Sequence, residues 1–365
     1  MNRTIGLITA NYTVAGYGDL TEKRPPATVP FDGRFRLMDY VLSNMVNSRI
    51  DTVGLVTPYY YRSVLDHVGA GKAWGLDKKI GGLFILPGTV FGTKEDDSAR
   101  FLFRDICQNE RYFQQGDADY ILISSGSMVY NMDYQPMIAQ HELSGRDVTF
   151  LYKKGTTKEY GVYLQLNPNG GVVSIDVKNE GENLFMDAFI INKSYLLRLI
   201  RDFRAQGYLD MLTILKDNLP DVSSGSYGFE GYVGRPDGLV NYMRVSREML
   251  DPAVRRQVYV ADRPVLTTAH DTTPSLYQPG SSVRGSALAA GGVIEGTVEN
   301  SVLFRNVKVG KGAVVRGCVL MDNCVIGENA HLENVICDKN VVINAGVGVN
   351  GTEDHPCLIE KDVNV

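Results

Sequence analysis

Val309-Gly310-Lys311-Gly312-Ala313, Ile326-Gly327-Glu328-Asn329-Ala330 and Ile343-Asn344-Ala345-Gly346-Val347 start 17 residues apart in both steps. A period near 18 residues is three hexapeptides per turn, the mark of a parallel β-helix with a triangular section. One aliphatic residue per hexapeptide points into the coil, and small or Asn residues sit at the tight corners. The spacing therefore places Val309, Ile326 and Ile343 at equivalent inward positions. After residue 285 the composition is Val, Ile, Gly and Asn with almost no helical periodicity. An irregular β-sandwich would not keep this register.

Working toward the N-terminus, residues 251–284 carry Pro252, Pro264, Pro274 and Pro279 and read as a linker. Before it, short apolar runs alternate with longer amphipathic stretches, the pattern of an α/β layer fold with a mostly parallel sheet. Candidate strands are Ile5–Thr9, Val53–Thr57, Tyr120–Ser124, Val148–Lys153 and Phe189–Asn192. Candidate helices are Met38–Ser48, Tyr61–Gly69, Ala99–Phe113, Lys193–Gln206 and Leu239–Leu250. The expected division is 1–250, a linker over 251–284, and a β-helix over 285–365.

With 365 residues, 44% apolar and 22% charged, the chain has length enough for two cored domains. A net charge of −5 gives no reason to expect nucleic acid as the main partner. No apolar run of about 18 residues is present, so no membrane helix is expected. The start reads as a first strand without the apolar core of a signal peptide, and a cytoplasmic location is expected. The five cysteines, Cys107, Cys318, Cys324, Cys337 and Cys357, form no C-x-x-C pair, and buried inert thiols are expected rather than disulfides or zinc. The five histidines form no cluster, and His331 reads as an outward or corner imidazole of the β-helix.

The most informative stretch runs from Asp19 to Tyr40: DLTEKRPPATVPFDGRFRLMDY, followed by Leu42-Ser43-Asn44-Met45-Val46-Asn47-Ser48. Together these resemble the N-terminal signature of glucose-1-phosphate adenylyltransferase, also called ADP-glucose pyrophosphorylase. That family joins a Rossmann-like nucleotidyltransferase domain to a C-terminal left-handed parallel β-helix, and the resemblance covers essentially the whole chain.

The resemblance implies displacement at the α-phosphorus of ATP by glucose-1-phosphate, releasing pyrophosphate. That chemistry needs a Gly-rich phosphate loop, basic side chains, and two Asp holding Mg²⁺. Here the family's Gly-Gly-Thr-Arg loop falls on Asn11-Tyr12-Thr13-Val14-Ala15-Gly16, with its Arg at Gly16. The Lys before the Pro-Ala step falls on Pro26. The first metal carboxylate falls on Ser127 and the second on Tyr232, and neither side chain is an anionic ligand at pH 7. The family's Gly-Thr-Ala run for the nucleotide is absent around Asp97–Arg104. The resemblance matches its sugar-phosphate Lys to Lys178, although a solvated surface Lys fits that position better.

What the resemblance keeps is basic. Lys23, Arg24, Arg36 and Arg305 match positions that contact phosphorylated effectors between the domains, where guanidinium groups suit phosphate. Surface charges or interdomain ion pairs explain the same residues equally well. The resemblance thus implies a regulatory, D-type partner of a catalytic glucose-1-phosphate adenylyltransferase subunit in bacterial glycogen synthesis. It would form a heterotetramer, or a homo-oligomer when alone. It would bind no cofactor itself, Mg²⁺ being used by the catalytic partner. The rivals are an active nucleotidyltransferase with rewired metal ligands, an acyltransferase working through the β-helix, and a stand-alone effector or sugar-nucleotide binding protein.

Overall fold

The computed structural model describes residues 3–9, 16–57, 60–88, 101–115, 117–207 and 210–365. The loop positions 11–15 and residues 97–100 lie outside them.

The N-terminal part is built on nine strands: β1 (Thr4–Thr9), β2 (Thr52–Thr57), β3 (Gly82–Pro87), β4 (Tyr120–Ser125), β5 (Val148–Thr157), β6 (Gly161–Leu166), β7 (Val172–Lys178), β8 (Gly181–Asn192) and β9 (Ser224–Phe229). The main order is β9-β5-β8-β4-β1-β2-β3, and the β6–β7 hairpin joins through β8. β3, β2, β1 and β4 pair in parallel, while β8 runs against β4 and β5. Alternation along β1 explains the two layers. Ile5 and Leu7 join Ile121, Ile123, Phe189 and Ile191 on one face, and Ile8 joins Leu55, Leu122 and Ile190 on the other. Helix Leu37–Asn47 covers the second face and approaches β1 at Gly6, where a Cβ would collide with the Met45 side chain.

The expected strands are present, several of them longer than the sequence pattern suggested. The stretch 99–113 differs, because it contains two short helices, Phe103–Gln108 and Glu110–Gln115. Asn109 breaks them: its Nδ2 donates to Asp105 O (2.8 Å) and to Pro87 O (2.9 Å), ending the first helix against β3.

The C-terminal part is a triangular parallel β-helix of three five-stranded sheets. Lys308, Val325 and Val342 are in register, as are Val309, Ile326 and Ile343, and the latter three are 1% exposed. Corners are turned by residues at positive φ, including Asn306, Asn323, Asn340 and Asp362. These four form a ladder, each side-chain amide donating to the next corner at 3.1, 3.0 and 2.7 Å. Leu332 points inward, and its neighbour His331 is half-exposed on the outer side.

The coil begins earlier than residue 285, with strands Leu276–Tyr277 and Ser282–Arg284 pairing onto the next turn. The linker is also less open than its prolines suggested. Asp251 caps helix Pro252–Val258, and Arg255 reaches Asp32. A third apolar core joins the two parts: Phe31, Phe35, Tyr40 and Tyr242 pack with Val302, Phe304, Val319, Met321 and Ile336 of the β-helix. Burying such a side chain contributes roughly 1.5–3 kcal/mol, so this contact holds the parts together. Among the described residues no helix is long and apolar enough to cross a membrane, and the five cysteines are free thiols, three of them buried.

Candidate functional site

Two places were singled out by the sequence, and the fold separates them. The first is the corner beyond the end of β4. Ser127 follows that strand, and its hydroxyl pairs with Ser125 Oγ at 2.9 Å. An antiparallel bridge between Val129 and Gly234 brings the Tyr232 segment alongside. Tyr232 donates to Glu248 Oε2 at 2.6 Å. The other oxygen of Glu248 accepts from Arg244 at 2.6 Å, and Arg244 continues to Glu159 at 3.1 Å. Arg244 also reaches Asn241, which donates to Asp237. Asp237 in turn accepts from Arg235, whose second nitrogen donates to the Tyr160 carbonyl at 3.1 Å. Arg235 is only 4% exposed. It lies against Gly161, where a Cβ would collide with the guanidinium.

Burial and the neighbouring Glu248 push the Tyr232 phenol well above its usual range. Burial also raises the Glu159 carboxyl, opposed by Arg244 and Arg235. Ser127 and Tyr232 therefore spend their oxygens on protein partners and supply no anionic ligand. Among the described residues no group of three or more His, Cys, Asp or Glu converges as a metal site. The residues present at this corner do not fit a Mg²⁺ ion held by two carboxylates, and no step is derived through one.

Gly16 has φ 108°, and its carbonyl accepts from Leu239 N–H at 2.9 Å. Pro26 is buried in a short 3₁₀ turn and offers no cation. Lys178 sits half-exposed on the β6–β7 hairpin, 4.0 Å from Asp176. It takes no part in the Tyr232 network.

The second place is a cleft of about 270 Å³ between the N-terminal part and the β-helix. It brings together Lys23, Arg24 and Arg36, with Lys339 and Lys361 from the β-helix. Arg305 is not among the residues that line it; it stands 4.0 Å from Asp322, a carboxylate that Lys339 reaches at 2.9 Å. The cleft also holds Asp19, Glu22, Asp66, Asp338, Glu360 and Asp362, so six carboxylates face five cations. Most of the predicted bases are engaged. Arg24 pairs with Asp338 at 2.5 Å, Arg36 donates to the Ser63 carbonyl at 2.5 Å, and Arg305 donates to the Arg34 carbonyl at 3.2 Å. Burial lowers the Arg36 guanidinium, with Asp39 opposing and Arg24 adding. Lys23 is the open one, its side chain 82% exposed and 3.7 Å from Glu22.

Residues 17–224 match the nucleotidyl transferase family, and residues 275–360 match the GlmU-like C-terminal hexapeptide family. The chain is 31% identical to the glycogen biosynthesis protein GlgD of Bacillus subtilis (strain 168), over 99% of this chain and 96% of that protein. It is 36% identical to GlgD of Geobacillus stearothermophilus, over 86% of this chain and 83% of the other. It is 32% identical to a glucose-1-phosphate adenylyltransferase of Thermotoga maritima, over 87% of this chain and 77% of that one.

The chain belongs to the glucose-1-phosphate adenylyltransferase family.

Its two parts are accordingly a nucleotidyltransferase domain and the left-handed β-helix of the hexapeptide proteins. Within this family member, sequence reasoning found Ser127 and Tyr232 but missed Glu159, Arg235, Arg244 and Glu248. Their one sequence signal is the i,i+4 spacing of Arg244 and Glu248 on one helix. For the cleft, reasoning found Lys23, Arg24 and Arg36, grouped with them Arg305, which does not line it, and missed Lys339, Lys361 and the carboxylates that face them.

Proposed function

We propose that this chain is a regulatory subunit of glucose-1-phosphate adenylyltransferase in glycogen biosynthesis, with little or no catalysis of its own. The observation that carries the reading is the Tyr232–Glu248 hydrogen bond of 2.6 Å. It supports the reading because the side chain where the resemblance puts a metal ligand is committed to a protein network. Catalysis of this class works by electrostatic stabilisation of the transferring phosphoryl group, so losing the metal ligands removes the main contribution.

In this reading a catalytic chain joins ATP and glucose-1-phosphate to ADP-glucose and pyrophosphate, using Mg²⁺. This chain assembles with it in the cytoplasm as a heterotetramer and biases its rate. The names of the GlgD relatives support the role in glycogen biosynthesis. The anion-binding positions are Lys23, Arg24, Arg36 and Arg305, and a phosphorylated small molecule is the effector. Two-state coupling of this kind requires the ligand to distinguish two arrangements of the domains, and a cleft between domains meets that condition.

The test is a magnesium-dependent pyrophosphorylase assay on the purified chain, alone and mixed with a catalytic subunit. The chain alone should show only a trace rate, and the mixture should differ from the catalytic subunit by itself. Turnover by the isolated chain at an ordinary ~1 to 10³ s⁻¹ would overturn the reading.

A further inference from the structure

Arg24 already has an anion. Its Nη2 stands 2.5 Å from Asp338 Oδ2, across 314 residues of sequence and across the boundary between the two domains. The two side chains are 12% and 3% exposed. Asp338 is fixed by its own corner of the β-helix. Its backbone N–H donates to Ile359 O at 2.9 Å, and its Oδ1 accepts from Lys339 N–H at 2.7 Å. Its carbonyl accepts from Cys324 Sγ at 3.1 Å. One carboxylate oxygen thus belongs to the coil, and the other is presented to the opposite domain.

A carboxylate oxygen on a guanidinium makes the same charge-assisted contact that a phosphate oxygen would make. Resting on the reading of the cleft as an anion site, we infer that Asp338 is a built-in occupant of the Arg24 position. A phosphorylated ligand takes that position by displacing Asp338. Displacement leaves a carboxylate that is 3% exposed without its cation, a cost that offsets much of the ligand's own gain. Asp338 therefore sets how weakly the cleft holds anions. The surplus of carboxylates over cations around it acts in the same direction. Because Arg24 and Asp338 lie on different domains, the exchange also trades an interdomain contact for a ligand contact. Ligand occupancy and domain coupling become one equilibrium.

Calorimetric titration of the full chain with inorganic phosphate tests this. Asp338→Asn keeps the size of the side chain and an oxygen for the Lys339 N–H, and removes the charge. It should bind phosphate at least about tenfold more tightly than the native chain, as losing one close opposing charge implies. Adding Arg24→Ala to it should abolish the gain. Equal or weaker binding by Asp338→Asn overturns the competitor role while leaving the anion site standing. Absence of phosphate binding in both proteins overturns the anion site itself. If Asp338→Asn fails to fold, hydrogen exchange of the native chain decides. Saturating phosphate should slow exchange around Arg24 and speed it over residues 335–342, and unchanged or slower exchange at 335–342 overturns the inference.

Discussion

Tyr232 and Glu248 meet at 2.6 Å, phenol to carboxylate, at the edge of a hydrogen-bonded chain that runs through Arg244 to Glu159. The chain satisfies itself. Each charged member has an opposite partner inside the protein, which is the condition for a partly buried network to be stable.

Restoring the metal ligands by sequence alone should therefore fail. Ser127→Asp with Tyr232→Asp returns two carboxylates, but the new one at 232 would face Glu248 and Glu159 without its donor. Like charges at such range raise one pKa and disfavour the shared site. The double variant should remain without magnesium-dependent ADP-glucose formation and should melt earlier than the native chain. Turnover within tenfold of a catalytic subunit would show that the network is no obstacle.

Removing only the phenolic hydroxyl is the gentler probe. Tyr232→Phe keeps the ring and leaves one Glu248 oxygen short of a donor, while Arg244 still holds the other. With the Glu248 side chain 33% exposed, the expected cost is about 0.5–1.5 kcal/mol in denaturant unfolding. A change below about 0.3 kcal/mol would mean that water replaces the phenol freely.

Alkaline pH should destabilise the fold strongly. Burial raises the phenols of Tyr17, Tyr40, Tyr112, Tyr130, Tyr134, Tyr232, Tyr242 and Tyr259. Folded pKa values above the unfolded ones mean that the native state keeps protons which the unfolded chain loses above about pH 10. Stability from these groups is fully present below that pH and falls as pH rises through the interval up to the folded values. Denaturant midpoints should be nearly flat from pH 8 to 9 with respect to these groups and drop steeply from 10 to 11. A flat profile to pH 11 would contradict it.

How far the sequence could be read depended on the range of the signal. The 17-residue register of Val309, Ile326 and Ile343 is written locally and repeats, so the coil, its inward residues and its corner asparagines were legible. The start of the coil was not, because Leu276–Tyr277 and Ser282–Arg284 lie among prolines and lack the aliphatic hexapeptide pattern. In the site, the residue types at 127 and 232 are enough to see that neither position offers a carboxylate. The network around them was hidden, since Glu159 reaches Arg244 only after 85 residues of folding. The same holds for Arg24, whose charge is plain in the sequence and whose partner Asp338 is chosen by how the β-helix docks.

The corner ladder gives a stability test confined to the β-helix. Asn323 has φ 64°, accepts from Asn306 and donates to Asn340. Asn323→Ala loses both side-chain bonds and leaves in the left-handed region a residue without the polar side chain that lets Asn tolerate it, where an ordinary L-residue costs about 1–2 kcal/mol. Asn323→Gly loses the bonds without the backbone penalty. Ala should therefore be more destabilising than Gly in denaturant unfolding; because both variants lose the ladder, the reverse order would show that the larger unfolded-state entropy of glycine, not the left-handed backbone, dominates at this corner.

The effector response of the mixed complex is best probed at Lys23. Arg24 and Arg36 have structural partners in Asp338 and the Ser63 carbonyl, so replacing them disturbs the domain boundary as well as any ligand. Lys23 is 82% exposed, and its pair with Glu22 at 3.7 Å contributes little. A cation at the mouth of a cleft adds to the field that attracts a phosphorylated ligand, and that contribution is screened by salt. Lys23→Ala should raise the half-saturating effector concentration several-fold at low ionic strength, with the difference shrinking in 0.5 M salt. Lys178→Ala, on the distant β6–β7 hairpin, should leave that concentration where it was. If Lys178→Ala shifts the response and Lys23→Ala does not, the cleft is not the place where the effector acts, and its charges serve only to hold the two domains together.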